Sequence, residues 1–153
     1  MSGTPAGPAS LDEARSELKG RCDAIESAYE FLLAYAAQGL VSDQGNNQVR
    51  DALGKCDRAL SDLSTFLTRF VSQLNLDPAP YSAFIAVLER DALDSRAAVQ
   101  LVLAQPAISS QLVDNLNASI HVRALLTDLF LVDEVFSPGK MEAAAEAPPQ
   151  GGD

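Results

Sequence analysis

Val49, Leu53, Cys56, Leu60, Leu63, Leu67, Phe70 and Leu74 follow one another at alternating spacings of four and three residues. On an α-helix this spacing places every one of these side chains on a single coiled-coil-like seam. A seam that long has to be covered by neighbouring helices along its whole run. The chain is thereby directed toward helix-on-helix packing before any other segment is considered. No segment sustains a two-residue alternation, so strands do not compete.

The flanking segments support this reading. Ser10 can cap a first helix through a capping box with Glu13, and Asp12 and Glu13 suit its positive end. Ala14, Leu18, Cys22, Ile25, Tyr29, Leu32 and Ala36 share one face, which predicts a helix running to about Gln38 and ended by Gly39. LVSDQGNN reads as a loop, with Asn46 or Asn47 capping the seam helix. The prolines of LDPAP break the chain and predict a third helix from near Pro80 that buries Tyr81, Phe84 and Leu88. The charged stretch ERDALDSR suggests a kink or a second start near Asp94, and Pro106 ends that helix or starts the next. A last helix from about Ser109 carries Val113, Leu116, Ile120, Ala124, Thr127, Leu131 and Val135, and Ser137-Pro138-Gly139 closes it. Leu125, Leu126, Leu129 and Phe130 widen its apolar face beyond one seam.

The expected fold is all-α: an antiparallel bundle of four to five helices with a long N-terminal helical hairpin. A chain of 153 residues with 47% hydrophobic content supplies one continuous core. The helical domain is expected over 10–136. The tails 1–9 and 137–153 are expected to be disordered, because they lack the apolar surface that offsets the entropy of ordering.

Charge narrows the partners. Residues 11–76 carry 7 basic and 10 acidic side chains, residues 77–136 carry 3 and 8, and the rest contributes 1 and 3, for a net charge of −10. Nucleic acid and anionic membrane surfaces draw their affinity from clustered Lys and Arg, so neither is an expected partner. The start of the chain has neither the positive charge nor the apolar run of a secretory signal. The region Ala124 to Phe136 is interrupted by Asp128, Asp133 and Glu134 and is too short for a bilayer. A cytoplasmic protein is expected.

The two cysteines sit in near-identical tetrapeptides, GRCD at residues 20–23 and GKCD at residues 54–57. A zinc site normally needs four Cys or His ligands, and the chain has two cysteines and a single histidine, His121. A hairpin turning near residue 43 separates Cys22 from Cys56 by roughly 12 Å along the axis, too far for a disulfide. Both are expected to be small core residues. The 34-residue interval matches the tetratricopeptide period, but one long helix fills it and no third copy follows. A duplicated helix or the convergence of two amphipathic helices accounts for the matches that continue past the tetrapeptide. Gly20 and Gly54 each cost about 1 kcal/mol inside a helix, so close helix approach is expected at both.

No catalytic chemistry emerges from the motifs. Ala118, not Glu, stands three residues before His121, so the di-metal bundle motif is missing. There is no Gly-rich phosphate loop and no dinucleotide fingerprint. No metal and no cofactor is expected. The reading that remains is a non-enzymatic protein-interaction module, an adaptor, accessory subunit or assembly factor, that presents an apolar helical face to a protein partner or to its own copy. Leu126, Leu129, Phe130 and Val132 are the expected interface. The alternative is a bundle holding a small apolar ligand or cofactor in its core, walled by Tyr29, Tyr35, Phe66, Phe70, Tyr81 and Phe84.

Overall fold

The computed structural model describes residues 10–137, and these fold as an all-α bundle. The expected tails, 1–9 and 137–153, lie outside the described residues except for Ser137. The first helix, α1 (Leu11–Ala36), starts at Ser10, whose Oγ accepts from the Glu13 amide at 3.1 Å. It buries Ala14, Leu18, Cys22, Ile25, Ala28, Leu32 and Tyr35, the predicted stripe with a small drift past Tyr29. Gly39 turns the chain out of the helix at φ +66, a backbone conformation that disfavours a side chain.

The predicted seam helix is two helices, α2 (Gln48–Leu60) and α3 (Leu63–Ser72), separated by Ser61 and Asp62. Ser61 is extended (ψ 128) and Asp62 is left-handed (φ 57), a conformation that Asp tolerates better than most residues. The seam still faces inward on both sides of the break: Val49, Leu53, Leu60, Leu63, Leu67 and Phe70 are buried. Arg21 of α1 makes the break tenable. Its Nη1 donates to the carbonyls of Ala59 (3.2 Å) and Ser61 (2.7 Å), and its guanidinium lies 5.2 Å from the centre of the Phe66 ring.

The third helix, α4 (Pro78–Leu103), is continuous, so the second start expected near Asp94 does not occur. Its first turn places Pro78 and Pro80 where helix amides have no intrahelical acceptor anyway, and Asp77 caps it by accepting from the Ala79 amide at 3.2 Å. Asp94 instead faces His121 at 3.8 Å. The last predicted helix is also divided, into α5 (Ser110–Ala118) and α6 (Ile120–Val135). Ser119 joins them in an extended conformation (φ −59, ψ 133), and its hydroxyl caps α6 at the His121 amide. Ser95 of α4 fixes the first turn of α6 by donating to the His121 carbonyl at 2.9 Å.

α1 and α2 form the long hairpin, and α4 lies across α2, α3 and α6. One core cluster holds Cys22, Ile25, Leu63, Phe70, Leu88, Leu125 and Leu129; a second holds Leu32, Tyr35, Leu53, Val99, Ile108 and Val113. At the end occupied by the second cluster, a polar clasp joins the α1–α2 loop to the α4–α5 loop. Asp43 accepts from the Arg50 Nε (2.7 Å) and from the Ile108 amide (2.8 Å). Arg50 also donates to the Leu103 and Gln105 carbonyls, and the Tyr35 hydroxyl to the Ile108 carbonyl at 2.6 Å.

Candidate docking groove

The helix break at Ser119 decides which face of α6 is available. Continuing the period of Val113 and Leu116 through a single helix puts Ile120, Ala124, Thr127, Leu131 and Val135 inside. The extended Ser119 resets that phase, and α6 instead buries Leu125, Leu126, Asp128, Leu129 and Val132. Three of the four residues expected at an interface are therefore core residues: Leu126, Leu129 and Val132 pack inward, and Phe130 alone is exposed, at 59%. The exposed apolar side chains that the shift produces are Leu131 (52%) and Val135 (44%), which the unbroken period assigned to the core.

Leu131 and Val135 form one rim of an apolar groove of about 330 Å³ between α3, α4 and α6. Its floor is Leu67, Val132 and Phe136, all buried. Tyr81, Phe84 and Ile85 of α4, half-buried, make the opposite wall, and exposed Pro80 ends it. The floor is closely packed: Phe136 lies edge-on to Phe70 at 5.1 Å and 5.8 Å from the Tyr81 ring. Sequence reasoning had placed Tyr81 and Phe84 as core or ligand walls. It had no signal for their pairing with Leu131 and Val135, which depends on the phase reset.

The other predicted positions resolve differently. A methyl group on Gly20 meets nothing within 4 Å, and on Gly54 it meets only the Arg58 guanidinium of the same helix, with Nη1 at 3.2 Å. Neither glycine is a point of close helix approach within this chain; Gly20 borders an open depression between α1 and α2. The tetrapeptides act through their charges: Arg21 holds the α2–α3 break, and Asp57 accepts from Arg96 (2.9 Å) and Gln100 (3.2 Å) of α4.

Cys22 and Cys56 are free thiols in one core cluster. No disulfide joins them. Burial pushes Cys22 up to about 12, reinforced by Asp133 and Glu26, and Cys56 up to about 11, reinforced by Asp57. Both stay protonated at neutral pH, which suits packing and not nucleophilic attack. Among the described residues no group of three or more His, Cys, Asp or Glu is placed to hold a metal ion.

The core cavity bordered by Ile25, Tyr29, Cys56, Ser95 and Asn117 has about 20 Å³ of space, the size of one water molecule and not of an organic ligand. Between α4 and α6, Asp128 is 7% exposed, and its Oδ2 has no hydrogen-bond partner. Burial, then the neighbouring Asp91 carboxyl, pushes Asp128 up to about 7. No described helix is long and apolar enough to cross a membrane. No family model, curated protein or solved structure matches the chain.

Proposed function

We propose that this protein is a non-enzymatic interaction module that docks a partner protein in the groove between α3, α4 and α6. The observation that carries the reading is the exposure of Leu131 and Val135 against a packed, almost wholly apolar floor. Scattered exposed apolar residues are ordinary on any surface. Two of them lining one side of a preformed aromatic-floored groove leave apolar area that a partner would cover with a gain in free energy.

Affinity purification of the full chain from its own host tests the reading, with the partner quantified on the wild type and on Leu131→Gln/Val135→Gln. Both positions are exposed, so the variant is expected to keep its helical circular dichroism. Recovery is expected to fall by about tenfold or more. The double variant Val41→Gln/Leu101→Gln, at exposed apolar residues outside the groove, is expected to recover the partner as the wild type does. Equal recovery on all three proteins contradicts docking in this groove.

A further inference from the structure

We infer that a proton shared by Asp91 of α4 and Asp128 of α6 latches the two helices together, and that its loss widens the groove between them. The inference concerns regulation of that groove and rests on the docking reading above for its use. Asp128 is 7% exposed, and its Oδ2 has no hydrogen-bond partner. Asp91 is its side-chain hydrogen-bonding neighbour. Two carboxylates are both acceptors, so that bond forms only when one of them carries a proton. Among the described residues neither acid forms an ion pair with Lys, Arg or His. Asp94 of α4 faces His121 instead, and Lys19 of α1 pairs with Asp23. Glu26 of α1 acts on Lys19 and Cys22, while Arg90 of α4, Arg123 of α6 and Asp114 of α5 are exposed.

The position of the pair gives it leverage on the groove. α6 runs antiparallel to α4: Ser95 pins its first turn at the His121 carbonyl (2.9 Å), and Phe136 at its end meets the Tyr81 ring (5.8 Å). Asp128 stands between these points, about two turns past His121 and one before Val132 on the groove floor. Asp91 lies about two turns from Phe84 and Ile85 on the facing wall. When both acids ionise, two like charges repel across a contact that water scarcely reaches, and α6 is pushed from α4. With the Ser95 end pinned, the groove end moves, and Leu131 and Val135 draw away from Tyr81, Phe84 and Ile85. Burial and Asp91 push Asp128 up to about 7 from an ordinary 3.8, so the latch is closed in mild acid and released as pH rises through about 7.

An NMR titration of the full chain between about pH 4 and pH 9, reading carboxyl carbons and methyl groups, tests the latch. The Asp128 carboxyl and the methyls of Ile85, Leu131, Val132 and Val135 are expected to share one midpoint well above 3.8, while those of Val99, Ile108 and Val113 stay in place. Overhauser contacts from Ile85 to Leu131 and Val135 are expected to weaken across that midpoint. Asp91→Asn should lower the midpoint by about one pH unit or more, and Asp128→Asn should leave the groove methyls unresponsive. An Asp128 carboxyl with an ordinary midpoint, or one that Asp91→Asn does not move, overturns the shared proton. Groove methyls that stay in place while Asp128 titrates, or that respond as before in Asp128→Asn, overturn its link to the groove. No partner is present in this titration, so either failure leaves docking intact, and docking fails only on the purification result above.

Discussion

Arg21 Nη1 donates to the Ser61 carbonyl at 2.7 Å across 40 residues of chain, at the point where the seam helix breaks into α2 and α3. The contact converts a local defect into a fixed bend, since the break frees carbonyls that a charged donor then satisfies. Arg21→Ala removes that donor and the cation over Phe66, and is expected to lower unfolding free energy by about 2 kcal/mol. Arg21→Lys should recover less than half of the loss, because an ammonium lacks the planar fork. Urea denaturation at neutral pH measures both. A loss under about 0.5 kcal/mol for Arg21→Ala, the level of an ordinary surface change, contradicts the role given to Arg21.

Asp43 sits under the Ile108 amide and the Arg50 guanidinium, and these, the amide first, hold its carboxyl below its ordinary value of 3.8. A depressed carboxylate contributes stability that is fully present above that ordinary value and is lost as pH falls through its lower folded value. Asp43→Asn is therefore expected to melt below the wild type at pH 6 to 8. The gap should narrow as the pH is taken to about 3 and below. Thermal melts across that range check it; a gap that widens in acid means that Asp43 is not the anion holding the clasp.

Asp128 has the opposite sign. Its carboxyl is pushed up to about 7 by burial and by Asp91, so the folded state favours the protonated form. The stability it contributes is complete below its ordinary value of 3.8 and is lost as pH rises through about 7. Asp128→Asn keeps the shape without the charge, and is expected to raise the melting temperature above pH 7 and to leave it nearly unchanged at pH 4. Equal gains at both pH values rule out titration as the cause.

Gly20 has open space where a methyl group would stand. Gly20→Ala is expected to stabilise α1 by about 1 kcal/mol, the helix-propensity difference. Gly54→Ala should gain less, since the Arg58 guanidinium at 3.2 Å has to move. Chemical denaturation of the two single variants tests this, and destabilisation by Gly20→Ala shows instead that α1 needs a glycine there.

Periodicity reads faces well and breaks poorly, and that explains what the sequence made legible. Along α2 and α3 the four-three spacing predicted the buried residues correctly on both sides of Ser61 and Asp62. The break itself carries no Pro or Gly, and its support comes from Arg21 in another helix. Along α5 and α6 the same failure had a larger effect. Ser119 resets the phase, so the residues expected to face a partner, Leu126, Leu129 and Val132, went inside, while Leu131 and Val135 came out. Hydrophobicity could not arbitrate, because α6 carries large apolar residues on nearly every side. The Asp43–Arg50 clasp was equally hidden: LVSDQGNN reads as a loop and Pro106 as the end of one helix or the start of the next, and only the fold brings the two segments together.

The most direct test of the docking groove is a methyl-resolved NMR titration of the full chain with the partner protein recovered by affinity purification. Leu67, Ile85, Leu131, Val132 and Val135 are expected to shift together, while the distant core methyls of Val99, Ile108 and Val113 stay in place. Shifts that centre on other surface methyls, such as Leu40 and Val41, or an unchanged spectrum at saturating partner, contradict the account.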